Sequence, residues 1–159
     1  MKIIKNFLPL NEFKTIQNLI FDLDFPWRIR NYMSPVDKNI YFTYSFFNNF
    51  TSTSDLYPKY IVPILKKLNC LAPIQVRTNL FLNKTFDKSG WHTDYEYDSS
   101  TAILYLNTCN GGTEFKIKNK IKFVNAEENK IVIFPAKTEH RACNSTDAEK
   151  RYIININYF

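Results

Sequence analysis

The chain contains only two histidines, His92 and His140. His92 stands in Trp91-His92-Thr93-Asp94. On an extended strand residues i and i+2 project to the same side, so His92 and Asp94 are expected to point together. Two such ligands and one distant histidine make a 2-His-1-carboxylate set. That set leaves coordination positions open on the metal, the arrangement of non-heme Fe(II) oxygenases. His140, closing the segment FPAKTEH (134–140), is the one histidine left to complete it. A lone His-x-Asp arises often by chance. Here both histidines of the chain fit, and Arg151 follows at the start of the last predicted strand.

These residues need a scaffold, and the hydrophobic pattern describes one. Residues 7–22 place Phe7, Leu10, Phe13, Ile16, Leu19 and Ile20 at helical spacing, with Pro9 near the start. Residues 27–32 and 40–47 are rich in aromatic and β-branched side chains and read as strands joined by a loop. Residues 54–69 read as a second helix, with Pro58 near its first turn and Pro63 deeper. From Ile74 the period becomes two. Segments 74–82, 91–97, 101–107, 113–118, 120–124, 130–134, 138–143 and 151–159 all read as short strands, which predicts a barrel or jelly roll. In FKIKNKIKF (115–123) the alternation puts Phe115, Ile117, Ile121 and Phe123 on one side and Lys116, Lys118, Lys120 and Lys122 on the other. The lysine side reads as a solvated edge face, with docking of an acidic partner as the alternative.

Composition sets the outer bounds. The 159 residues suit one domain. With 45% hydrophobic, 16% aromatic and 23% charged residues, disorder is excluded. A net charge of +6 permits an anionic substrate or a nucleic acid without requiring one. No apolar run is long enough to span a bilayer. The first residues lack the apolar stretch of a signal peptide. Three cysteines without CxxC spacing suit a reducing compartment. A cytoplasmic location with no membrane contact is the expectation.

From Ile74 to Phe159 the chain resembles the Fe(II)/2-oxoglutarate-dependent dioxygenases of the prolyl-4-hydroxylase-like branch. The matching pieces are GWHTD (90–94), TAILYLN (101–107), GGTEF (111–115), NKIVIFPAKTEH (129–140) and RYIININYF (151–159), in family order. The resemblance implies a mainly β (α+β) fold, a cupin-like double-stranded β-helix or jelly roll with N-terminal supporting helices. Residues 1–159 would then form one domain, with 1–73 as helical support and outer strands and 74–159 as the jelly-roll core. It further implies that His92, Asp94 and His140 bind Fe(II), and that 2-oxoglutarate and O2 are consumed with release of succinate and CO2. Arg151 matches the basic residue that holds the C5 carboxylate of 2-oxoglutarate, a task suited to a guanidinium fork. Tyr105 matches a tyrosine that hydrogen-bonds the same carboxylate in several members; an ordinary core aromatic is the other reading.

Further candidates follow from position. Asn79 and Arg77 lie on the strand before His92, where family members place cosubstrate or substrate contacts. Glu96 is in phase with His92 and Asp94 and is expected at the mouth; Trp91 flanks the metal pair. Tyr95 and Tyr97 are out of phase and are expected to pack. Residues 31–39 read as a lid, and Cys143 as a buried thiol. The stretch before His92 lacks the Tyr-x-x-Gly pattern common in prolyl hydroxylases. The leading expectation is hydroxylation of an aliphatic C–H of a protein or peptide side chain, prolyl-hydroxylase-like and with proline as one candidate; a small-molecule prime substrate is the wider possibility. Nucleic-acid demethylation is possible but not favoured, because no lid or stacking platform for a flipped base is identified. A non-catalytic jelly-roll binding module and a metal-only cupin enzyme are the remaining alternatives. The oligomeric state is not legible.

Overall fold

A computed structural model describes residues 1–31, 39–83 and 85–159. The proposed lid falls almost wholly within 32–38, outside the described residues. Among the described residues eleven strands and two α-helices follow one another as β1 (Lys2–Ile4), α1 (Leu10–Phe21), β2 (Arg28–Asn31), β3 (Ile40–Asn48), β4 (Thr51–Ser52), α2 (Val62–Lys67), β5 (Pro73–Leu82), β6 (Ser100–Tyr105), β7 (Gly112–Ile117), β8 (Lys120–Asn125), β9 (Lys130–Pro135), β10 (His140–Cys143) and β11 (Lys150–Tyr158). The larger sheet runs β1-β9-β6-β11-β5-β3-β2, with β4 on β3. The smaller runs β10-β7-β8. Every pairing is antiparallel. Two facing antiparallel sheets are the expected jelly roll.

The period of two explains the two cores. On β11, Ile154 and Ile156 face outward with Leu80, Ala102 and Leu104, and there they meet Phe13, Ile16 and Ile20 of α1 and Ile64 and Leu65 of α2. The helices therefore cap the outer face of the larger sheet. The opposite face turns toward the smaller sheet, where Phe81, Ile103, Tyr105 and Ile153 pack with Phe115 and Val124. This second core is the floor on which the polar residues of the candidate site stand.

Local chemistry sets the element ends. Pro9 sits immediately before α1, at the position where a missing N–H removes no helical hydrogen bond. The second predicted helix is real in part. Residues Tyr57–Ile61 form a π-turn, closed by a Val62 N–H to Tyr57 carbonyl bond, and only Val62–Lys67 is α-helical. Pro63 carries no N–H, so it fits the first turn of α2 and not the interior of a longer helix.

Two expectations are corrected. Segment 91–97 is not a strand; among its residues only His92 bridges, to His140. The Asp94 N–H donates to the Ala136 carbonyl at 3.0 Å and leaves the ladder there. The lysine alternation also fails. Lys118 and Asn119, both with positive φ, make a two-residue turn that pairs Ile117 with Lys120 and Phe115 with Lys122. Across that turn the parity of the faces reverses. Phe115 is buried, whereas Ile121 and Phe123 are exposed.

At the start of β7 a glycine is required by close approach. A Cβ on Gly112 would fall onto the carbonyl oxygen of Val124 and lie 2.9 Å from Asn125 Cα. All three cysteines are free, with Cys109 and Cys143 buried as expected for the latter. Among the described residues no helix is long and apolar enough to cross a membrane.

Candidate active site

His92, Asp94 and His140 converge, each offering one ligand atom, and these atoms lie within 4.8 Å of one another. The backbone does the positioning. The His92 N–H donates to the His140 carbonyl at 3.0 Å, and the His140 N–H returns the bond at 2.9 Å. The Asp94 N–H bond to Ala136 then turns its side chain toward the pair.

Each ligand is oriented by its other end. His92 Nδ1 lies 3.1 Å from the Gly90 carbonyl, and His140 Nδ1 lies 2.9 Å from the Thr138 carbonyl. A carbonyl only accepts, so both rings carry their proton on Nδ1. With Nδ1 engaged in this way, Nε2 is the atom each ring presents to a metal. Asp94 Oδ2 accepts from Thr101 Oγ1 at 2.8 Å and from Asn157 Nδ2 at 2.8 Å. Its Oδ1 stays open, 3.8 Å from His140 Nε2. Burial pushes the Asp94 carboxyl upward, but His140, Arg77 and the two hydrogen bonds outweigh it and hold the group below its ordinary value. Burial depresses the His140 pKa despite the opposing pull of Asp94. An ionised Asp94 carboxylate beside a His140 imidazole held toward its neutral form is the state a divalent cation needs.

A cavity of about 450 Å3, counting its open mouth, runs from this cluster into the space between the sheets. Arg151, Ile153 and Asn155 line it from β11, and Arg77, Asn79 and Phe81 from β5. The register pairs Arg151 with Phe81, Ile153 with Asn79 and Asn155 with Arg77, so one face of each strand forms the wall. Thr113, Ala142, His92 and His140 close the other side.

At the inner end stands Arg151. It is 1% exposed, and none of its three guanidinium nitrogens has a hydrogen-bond partner. The Phe81 ring lies 4.4 Å from the guanidinium. Burial works against its charge and lowers its pKa, yet a guanidinium stays ionised in proteins. A buried cation without a counter-ion is strongly unfavourable unless an anion arrives to meet it.

Of the remaining sequence candidates, Asn79 lines the cavity and its Oδ1 accepts from Thr43 at 2.9 Å. Arg77 lines it too, with a buried, unpartnered Nε. Tyr105 does not reach the lumen. Its phenol donates to Thr113 Oγ1 at 2.9 Å, and burial pushes its pKa up to about 12. Thr113 stands between it and any ligand, keeping its own hydroxyl proton free to donate inward. Glu96 is exposed and accepts from Thr93 instead of lining the mouth, because the chain leaves the strand path after Asp94. Trp91 lies outside the cavity, with Lys116 Nζ 4.7 Å and the Arg141 guanidinium 4.3 Å from its ring. Tyr95 and Tyr97 pack on each other, as expected. Thr101, Thr113, Asn155 and Asn157 escaped the sequence reading. Period two from Arg151 through Ile153 would have reached the last two.

Residues 80–159, just over half of the chain, match the 2OG-Fe(II) oxygenase superfamily. The chain belongs to that superfamily. It is a 2-oxoglutarate-dependent dioxygenase, with Fe(II), 2-oxoglutarate and O2 as its cofactor and cosubstrates. Solved structures agree on the fold. A 2OG-Fe(II) oxygenase family oxidoreductase from Burkholderia pseudomallei is similar at 11% identity and TM-score 0.77, over 98% of this chain and 83% of that one. A Trichoplax adhaerens prolyl hydroxylase, solved with a hypoxia inducible factor peptide fragment, is similar at 14% identity and TM-score 0.75, over 99% and 82%. An alpha-ketoglutarate-dependent epimerase of nogalamycin biosynthesis is similar at 14% identity and TM-score 0.69, over 99% and 76%. No curated protein matches the chain by sequence. The oxygenase's residues suit the superfamily's groups: two imidazole Nε2 atoms and an open carboxylate oxygen for the iron, and an unmet buried cation for a dianion.

Proposed function

We propose that this oxygenase hydroxylates an aliphatic C–H of a protein, peptide or small-molecule substrate, releasing succinate and CO2. His92 Nε2, Asp94 Oδ1 and His140 Nε2 hold Fe(II), and Arg151 takes the C5 carboxylate of 2-oxoglutarate. One observation carries the reading. The orphaned Arg151 guanidinium lines the same cavity as His92 and His140, and among the described residues no ion pair reaches it. A metal-only enzyme has no use for that buried cation.

When bound, the iron with 2-oxoglutarate supplies the oxidising power for C–H hydroxylation. The chain's residues provide the setting. Arg151 fixes the cosubstrate by a charge-assisted fork, and Thr113, held by the Tyr105 phenol, offers a second donor. Thr101 and Asn157 hold Asp94 to a single open oxygen, which limits how many positions the protein fills. Phe81, Ile103 and Ile153 exclude water along the wall. Asp94 itself argues for hydroxylation over halogenation, because related halogenases lack this carboxylate.

The test is turnover of 2-oxoglutarate by the Fe(II)-loaded protein against libraries of peptides and small metabolites. The expected result is succinate formed in step with a product one oxygen atom heavier than its substrate. Products found only on methylated oligonucleotides would replace this reading with nucleic-acid demethylation.

A further inference from the structure

With Arg151 given to the cosubstrate, two polar atoms of the cavity are still unmet. Arg77 Nε and Asn155 Oδ1 are both buried without a hydrogen-bond partner. They occupy paired positions on β5 and β11 and line the cavity together with His92 and His140. One is a cationic donor, the other an acceptor. Among the described residues Arg77 has no ion-pair partner.

Charge balance points the same way. Among the described residues, the charges at the cavity and its His-Asp-His cluster are two guanidinium cations, Arg77 and Arg151, against the Asp94 carboxylate. Fe(II) and the 2-oxoglutarate dianion cancel each other. With both in place one positive charge is still unmatched, and a low-dielectric cavity favours a monoanion to neutralise it. The acceptor beside it calls for an N–H close to that anion.

We propose that Arg77 and Asn155 anchor the prime substrate, and that they take a carboxylate with an adjacent N–H. Free amino acids and the C-terminal residues of peptides share that chemistry. The proposal rests on the assignment of Arg151 to 2-oxoglutarate. Arg77 donates to the carboxylate, Asn155 Oδ1 accepts from the N–H, and the substrate's side chain is left to face the metal cluster. Two contacts on separate strands fix orientation as well as position, which a reaction at one C–H requires.

The test is isothermal titration under nitrogen of the whole chain loaded with Fe(II) and 2-oxoglutarate. Three probe sets are used: the common free L-amino acids, Gly-Gly-Xaa tripeptides with a free carboxylate, and the same tripeptides as C-terminal amides. At least one acid should saturate. The loss of its carboxylate, or Arg77→Gln, should weaken binding by about tenfold or more, with Arg77→Lys weakening it less. The 2-oxoglutarate Kd of both variants should stay within about twofold of the parent. Binding by free amino acids alone, or by the acid tripeptides alone, identifies the source of the carboxylate. The anchor is overturned if no acid binds, if acids and amides bind alike, or if Arg77→Gln weakens 2-oxoglutarate as much as Arg151→Gln does. A 2-oxoglutarate Kd unmoved by Arg151→Gln overturns the cosubstrate assignment instead, and the charge count with it.

Discussion

His92 and His140 exchange both backbone hydrogen bonds, at 3.0 and 2.9 Å, although they are far apart in the chain. Their ring centroids lie 4.5 Å apart as a result. The two imidazoles are therefore placed side by side by a β-bridge of the backbone.

Backbone and side-chain hydrogen bonds position Asp94 as well, and its outer partners can be tested. Thr101→Val and Asn157→Leu each remove a hydrogen bond to Oδ2 while leaving all three ligands in place. Each variant should lose about 10–100-fold in Fe(II) affinity, by analogy with outer partners in other metal sites. Anaerobic competition with a chelator measures it. Unchanged affinity in both variants would show that Asp94 is held by something else.

Arg151 sets function against stability. Replacing an unpaired buried cation with an apolar side chain of similar length relieves its desolvation. Arg151→Met should raise the melting temperature of the apoprotein while abolishing measurable 2-oxoglutarate binding. Arg141→Met is the control, since Arg141 pairs with Glu114 at 2.7 Å outside the cavity. It should leave 2-oxoglutarate binding unchanged.

The jelly roll and most of the site are legible in the sequence because strand period and cavity face are the same signal. Arg151, Asn79 and Arg77 were marked by the family resemblance, and their places on inward positions of regular strands are why they share the cavity. Glu96 and segment 91–97 were misread because the Asp94 N–H leaves the ladder for Ala136, a tertiary hydrogen bond that no local pattern encodes. The β7–β8 faces were misread because the turn at Lys118-Asn119 contains two residues with positive φ and no glycine, so the usual hairpin signal is missing. Asn155 and Asn157 carried no signal in the sequence, because only the folded neighbours give Asn157 its partners Asp94 and Thr101 and leave Asn155 Oδ1 without one.

That hairpin register makes a direct stability contrast. Phe115→Ala should cost about 3–5 kcal/mol by emptying the core beside His140. Phe123→Ala should change stability by no more than about 0.5 kcal/mol, because the ring is exposed. Gly112→Ala forces a methyl onto Val124 and should cost about 1–3 kcal/mol or more. Urea unfolding of the apoprotein reads all three, and equal losses for the two phenylalanines would refute the register.

Acid should weaken the apoprotein in a defined window. The folded pKa of His140 is depressed, so the unfolded chain binds the proton more tightly. Stability is then lost as pH falls below the unfolded histidine value of about 6.5. The depressed Asp94 pKa acts in the same direction at lower pH, from the ordinary aspartate value of about 3.9 downward. Melting curves between neutral pH and mild acid should show a fall that is shallower in His140→Asn. Equal slopes would mean that His140 is not the responsible group.

The central claim is that the His-Asp-His cluster and Arg151 hold one iron-chelated 2-oxoglutarate between them. The direct measurement is anaerobic titration of 2-oxoglutarate into the Fe(II)-loaded protein, watching for the visible metal-to-ligand charge-transfer band, with His92→Ala as the blank. The expected result is a band that saturates in the parent, is absent from the blank and needs far more 2-oxoglutarate in Arg151→Gln. Iron binding without any band would contradict the claim and favour a metal-only enzyme; failure to bind iron at all would leave a jelly-roll binding module.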